Sequence, residues 1–224
     1  MSLALARIQS RTDYVDEVYR VLLDAISDGT LAPGTRLTQE EIAEQLSVSR
    51  SPVLQALRLL KKDGLVRDAP GRGVLVAPLE LESIGHVYEV RGALEALAAR
   101  LAARRNARID PALIAAGRQA SRGSDVKAML EADMAFHNAL YEASGNPLIG
   151  QSAHTHWVHL RRVMGAVLQA SGLRDAIWDE HQAIADAIAA GNAEHAGTLV
   201  ERHTERARAN LMARLGEVLA EHAS

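Results

Sequence analysis

Apolar residues recur at helical spacing through nearly the whole chain, and the departure from that rhythm is short. Val15, Val18, Tyr19, Leu22, Leu23 and Ile26 mark the inner face of a helix over 13–28, which Gly29 stops. Thr38 and Glu41 have capping-box spacing, and Ile42, Ala43 and Leu46 share a face. Ser47-Val48 breaks the period. Ser49 is then expected to cap a second helix with Pro52 in its first turn and Val53, Leu57 and Leu60 turned inward. Gly64 ends that helix. Leu65-Val66-Arg67 and Val74-Leu75-Val76 read as two strands joined by the turn Ala69-Pro70-Gly71-Arg72-Gly73. From Leu79 to Ser224 only the helical period is present. It predicts helices near 80–105, 110–121, 124–144, 146–170, 173–190 and 192–221. Asp110-Pro111 and Asn146-Pro147 are starts of the cap-then-proline kind, and Gly145 and Gly191 are stops.

These elements describe a mainly α chain of two domains. Residues 1–78 read as a winged helix-turn-helix domain and residues 79–224 as an antiparallel bundle of six or seven helices. The second helix of such a unit can lie in a major groove and offer its first residues to base edges, while the wing reaches a phosphate or the minor groove. Arg50, Ser51, Gln55 and Arg58 stand outside or near the start of that helix, and Arg72 with Gly73 at the wing tip; these six are the candidate DNA-contacting residues.

Charge sharpens the reading. Residues 49–73 carry six cations, Arg50, Arg58, Lys61, Lys62, Arg67 and Arg72, against Asp63 and Asp68, in a chain of net charge −3. A local basic surface on an acidic chain suits a polyanion such as double-stranded DNA. Apolar residues make up 48%, enough for a core, and aromatics only 3%, which favours closely packed helices. There is no cysteine, which excludes disulfides and thiolate metal sites. The first residues have too short an apolar run for a signal peptide, and no stretch is long enough to span a bilayer, so a soluble cytoplasmic protein with no membrane partner is expected.

Four polar residues occupy positions where the period asks for apolar ones. Asp133 and His137, four apart, share a face with Leu130, Leu140 and Tyr141. His181 lies in the stripe Ile177, Ile184, Ala185, Ile188, and His203 in the stripe Leu199, Val200, Ala207, Leu211. His181 is eleven residues before Asn192 and His203 eleven after it, about three turns each way, so a hairpin folded at Asn192 brings the two imidazoles level. One carboxylate and three imidazoles suit a divalent metal, Zn, Ni, Mn or Fe, one per chain. Each residue alone is more simply a satisfied core side chain; the convergence of four is what points to an ion, because an unpaired buried carboxylate is costly. His154, His156 and His159 do not share a helix face well and read as surface or pocket-edge residues.

Arg91 is the other inward anomaly, in the stripe Ile84, Val87, Tyr88, Leu94, Glu95, Ala98. It is either an internal salt bridge to Glu95 or a clamp for a ligand carboxylate. A metal with open positions beside a guanidinium would suit a small organic acid.

Together these residues resemble the GntR family of bacterial regulators, and within it the FadR subfamily with an FCD-type ligand domain. The likeness rests on Pro33-Gly34, Leu37, Ile42-Ala43, Val48-Ser49-Arg50, Pro52-Val53, Ala56-Leu57, Leu60, Gly64-Leu65-Val66 and Gly73. It continues in Arg91, Leu94-Glu95, Asp133, Phe136-His137, Ser144-Gly145-Asn146, His181 and His203. The resemblance implies a homodimer on a palindromic operator, usually a repressor released by a small carboxylate metabolite. It also implies that Asp133, His137, His181 and His203 match the metal ligands and Arg50 a DNA contact. One position departs: Leu54 stands where the family usually has an arginine that contacts the operator, which puts the usual operator sequence in doubt. The reading is therefore a transcriptional regulator and not an enzyme. A metal-dependent hydrolase on a helical bundle is the alternative, but it leaves the winged segment unexplained and has no positioned general base. A regulator whose effector is the metal itself is a third reading.

Overall fold

The computed structural model describes residues 14–168 and 176–222. Residue 13, the segment 169–175 that ends one expected helix and begins another, and the leading residues read for targeting lie outside the described part. The chain divides into two compact units, residues 1–25 with 34–77 and residues 26–33 with 78–224.

α1 (Tyr14–Ser27), which belongs to the first unit as far as Ala25, contributes Val18 and Leu22 to a small core there. Then follow β1 (Arg36–Leu37), α2 (Gln39–Gln45), α3 (Arg50–Lys62), β2 (Val66–Asp68) and β3 (Val74–Val76). The capping box is present: Glu41 N donates to Thr38 Oγ1 at 3.3 Å and Thr38 N to Glu41 Oε2 at 3.2 Å. Ser47 turns the chain at a φ of 53°, and α3 starts three residues later. Ser49 does occupy the N-cap position of α3, but its side chain makes no capping hydrogen bond, contrary to the expectation. Val53, Leu57 and Leu60 are buried as their spacing predicts, each worth about 1.5–3 kcal/mol against exposure.

The wing is a sheet of three strands, ordered β1-β3-β2 and antiparallel throughout. Two strands were expected; β1 was not, since two residues carry no alternation to read. It exists because Leu37 pairs with Val74 and Arg36 with Leu75. The other pairing sets Val66 against Val76, one residue later than the expected strand began.

Among the described residues the second unit has α4 (Leu81–Arg104), α5 (Pro111–Ser121), α6 (Val126–Ala143), α7 (Pro147–Leu168), α8 (Ala176–Ala189) and α9 (Ala193–His222). Asp110 caps α5 by accepting from Ala112 N at 2.8 Å, with Pro111 at the first position. α4 and α9 run antiparallel along each other. Position 85 of α4 faces Met212 and position 92 faces Thr204, while Arg100 reaches Glu201 at 2.7 Å. Ala98, Ala99, Ala102 and Ala103, all buried, keep the inner face of α4 smooth and let helices approach closely. The core continues through Phe136, Leu140, Trp157, Leu160, Trp178, Ile184 and Ile188. No helix among the described residues is long and apolar enough to cross a membrane.

Candidate functional site

α6 carries Asp133 and His137 one turn apart, so helix geometry alone puts them on the same face. α8 carries His181 and α9 carries His203 to the same place. One ring nitrogen from each of His137, His181 and His203 lies within 4.8 Å of the others. The Nε2 atoms of His181 and His203 are 3.3 Å apart, and Asp133 Oδ1 stands 3.7 Å from His181 Nε2 and 3.8 Å from His137 Nε2. All four side chains are buried.

Two ligands on a tetrahedral zinc at about 2.0–2.1 Å are separated by about 3.3 Å, so the His181–His203 spacing is that of a coordination edge. The donor set of three nitrogens and one carboxylate oxygen fits a divalent ion of borderline hardness. Metal binding needs neutral imidazoles. Burial pushes His137 below its ordinary pKa against the pull of Glu95, with Arg91 adding to the fall. Burial and then His203, His137 and Arg91 push His181 far below the usual imidazole range. Packing holds the rings: the Phe136 ring stacks on His181 at 4.1 Å between centroids, and Trp178 lies edge-on to His181 at 4.7 Å.

α4 supplies the charged floor. Arg91 Nε donates to Glu95 Oε1 at 2.7 Å, both residues being almost wholly buried. Its Nη2 donates to His137 Nε2 at 2.7 Å, and its guanidinium sits 4.6 Å over the Trp157 ring. Glu95 Oε1 also accepts from Tyr141 OH at 2.7 Å, which in turn accepts from Trp157 Nε1 at 3.1 Å. Burial opposes the charge on Glu95, yet Arg91 and then His137 outweigh it and hold the carboxyl below its ordinary range. Burial likewise opposes the Arg91 charge, and Glu95 more than restores it. His137 Nδ1 is 3.1 Å from Glu95 Oε1. Of the two readings of Arg91, the salt bridge to Glu95 is therefore present, and the guanidinium also reaches the imidazole cluster.

Glu180, which sequence reasoning did not single out, lies behind His203. Its Oε2 is 2.8 Å from His203 Nδ1, and Arg206 holds Oε1. Burial raises the Glu180 pKa, but the hydrogen bond and charge of His203 and the charge of Arg206 bring it below the ordinary value. As the residue before His181, Glu180 belongs to a different face of α8, so no stripe pointed to it. Tyr141 was missed as a polar group because it sits in a stripe with Leu130 and Leu140. His154 is exposed, and His156 and His159 are half-buried.

On the first unit, Ser51, Gln55, Arg58 and Arg72 are exposed. Arg50 is exposed and pairs with Glu40 at 3.1 Å, while Lys61 is engaged by Asp68 at 2.6 Å. Leu54 is half-buried. Gly73 has a backbone reason of its own. Its φ is 88°, and a Cβ there would lie 2.4 Å from the Leu37 carbonyl oxygen. The wing tip is pinned by Arg36, whose Nε donates to Arg72 O at 3.1 Å and whose Nη2 donates to Pro70 O at 3.1 Å.

Residues 86–206 match the FCD domain family and residues 14–76 match the bacterial regulatory proteins of the gntR family. The chain belongs to the GntR family. It is a transcriptional regulator with an FCD domain, from a family of DNA-binding regulators and not of enzymes; the hydrolase reading is set aside. The regulator is 31% identical over 208 residues to the HTH-type transcriptional regulator LutR of Bacillus subtilis, covering 80% of this chain and 92% of that one. It is 28% identical over 201 residues to the "Probable D-xylose utilization operon transcriptional repressor" of Paenarthrobacter nicotinovorans, covering 87% and 88%. Its fold resembles the crystal structure of a GntR transcriptional regulator from Rhodococcus sp. RHA1, with a TM-score of 0.73 and 30% identity over 90% of this chain and 99% of that one.

Proposed function

We propose that this regulator is a homodimeric repressor whose grip on a palindromic operator is weakened by a small carboxylate metabolite bound at a metal centre in the helical bundle. The observation that carries the reading is the buried convergence of three imidazoles and a carboxylate beside a buried guanidinium. Asp133, His137, His181 and His203 would hold one divalent ion, Zn, Ni, Mn or Fe, which supplies an anchoring point for a carboxylate oxygen. Arg91 would clamp the same acid, its fork matching carboxylate geometry. On the DNA side, Arg50, Ser51, Gln55, Arg58 and Arg72 would meet the operator. Gly73 would serve there by letting the wing tip adopt its shape. With leucine at position 54, recognition falls more heavily on Arg50, Ser51, Gln55 and Arg72. Gln55 has the chemistry to pair with adenine.

Occupancy of the centre would shift α8 and α9 and so change the spacing of the two winged heads in the dimer. Linkage makes the effect reciprocal: if acid weakens DNA binding by some factor, roughly 5–150-fold for typical couplings, operator weakens acid binding equally. The test is operator binding by the metal-loaded chain, titrated with a panel of small acids, together with acid titrations with and without operator. An acid that lowers operator affinity, and binds less tightly when operator is present, is the expected result. Acid affinities that are identical with and without operator would remove the mechanism.

A further inference from the structure

We propose that Glu180 is a positioning residue for the metal centre: it fixes the His203 proton on Nδ1 and so commits the Nε2 lone pair to the face shared with Asp133, His137 and His181. This rests on the metal reading above and goes beyond it, since Glu180 belongs to none of the stripes that define the four ligands.

The argument is one of hydrogen-bond chemistry. An ionised carboxylate only accepts, so the nitrogen facing it must carry the proton. Glu180 Oε2 lies 2.8 Å from His203 Nδ1, and the opposite oxygen, Oε1, is engaged by Arg206. The carboxylate is thus held at both ends and cannot rotate away without breaking the second contact. An unconstrained histidine prefers its proton on Nε2, which would close the donor atom facing the centre. With the proton on Nδ1, Nε2 is left open, and it is this nitrogen that stands 3.3 Å from His181 Nε2. Metal-ligating histidines commonly have such an outer carboxylate, which sets both tautomer and ring orientation.

The three imidazoles differ in what faces their outer nitrogens. His181 Nδ1 is buried with no hydrogen-bond partner among the described residues, whereas His137 Nδ1 faces Glu95 Oε1 at 3.1 Å and its Nε2 accepts from Arg91. The fold thus sets the tautomer of His137 through Arg91 and that of His203 through Glu180. Glu180 also borders an open cleft of about 360 Å³ with Arg202, His203 and Arg206. Removing its side chain leaves Arg206 in contact with water and no stranded buried charge, so the variants below are expected to fold.

The test has two independent readings on the full-length chain. Long-range nitrogen NMR of the imidazoles, after metal removal, reports which nitrogen of His203 carries the proton. The wild type is expected to show Nδ1–H, and Glu180→Ala a shift toward Nε2–H. Zinc titration against a competing chelator is expected to show affinity falling about 10–100-fold in Glu180→Ala. Glu180→Gln, which keeps an acceptor oxygen, is expected to lose less. A wild-type His203 protonated on Nε2, or equal zinc affinity in the wild type and Glu180→Ala, overturns the proposal. A wild type that takes up no zinc overturns the metal reading itself, while the NMR result still decides what Glu180 does to His203.

Discussion

His181 on α8 and His203 on α9 are 22 residues apart in the chain and 3.3 Å apart at their Nε2 atoms. The hairpin at Asn192 puts them on the same level, and the inward stripes of both helices put them on the same side. A chain purified without added metal is expected to contain roughly one divalent ion, the number a single site of four protein ligands holds. His181→Ala and His203→Ala should each lose it with helical circular dichroism retained. Elemental analysis is the measurement, and full metal content in both variants would contradict the assignment of ligands.

Arg91 and Glu95 form a buried ion pair on α4, at 2.7 Å. Arg91→Ala strands the Glu95 carboxylate away from water and is expected to destabilise the bundle by about 3–5 kcal/mol. Arg91→Met combined with Glu95→Leu removes both charges and should cost much less. Trp157 lies against Arg91, so its fluorescence during urea unfolding compares the variants directly. Equal losses in the single and double variants would mean that packing, not charge burial, sets the cost.

Gly73 and Gly34 both have positive φ, 88° and 83°, but differ in their surroundings. At position 34 nothing lies within 4 Å of an added Cβ, so Gly34→Ala should cost only the left-handed strain, about 1–2 kcal/mol. Gly73→Ala adds the collision with the Leu37 carbonyl and should cost more, loosening the β1–β3 pairing. Hydrogen exchange at Leu37, Val74 and Leu75 is the readout, and equal protection in both variants would argue against the steric account.

Tyr19 OH donates to Asp63 Oδ2 at 2.7 Å, tying α1 to the end of α3. Burial, then the hydrogen bond and charge of Asp63, hold the phenol above its ordinary pKa. A folded pKa raised above the unfolded one gives stability that is complete below about pH 10 and is lost as the pH climbs through the folded value. Exchange protection of the buried α3 amides should therefore fall above pH 10 in the wild type. Tyr19→Phe should flatten this dependence and cost about 1–2 kcal/mol at neutral pH.

Arg50 and Arg72, if they meet phosphates, each release about one counterion. Alanine at either should lower the slope of log affinity against log salt by about 1 and weaken all sequences alike. Gln55→Ala should instead change the preference among operator variants. A Gln55 variant with unaltered preference would place that side chain on the backbone rather than on a base.

What the chain alone determined is the local order: helix positions, the Thr38–Glu41 capping box, the Asp110–Pro111 start, and the sharing of one helix face by Asp133 and His137. These depend on residues within a turn or two of each other, where the 3.6 period and backbone hydrogen bonding act directly. Even the level of His181 with His203 follows from counting along two helices from one turn. Tertiary packing decided the rest. Two-residue β1 exists because β3 lies beside it, and Ser49 caps nothing although it stands at the cap position. Glu180 reaches His203 because the rotation of α8 against α9 brings a second face of α8 into contact, and Arg91 meets His137 because α4 packs on α6. Helix rotation and close approach are set by the summed fit of many side chains from distant parts of the chain, which no stretch of it carries alone.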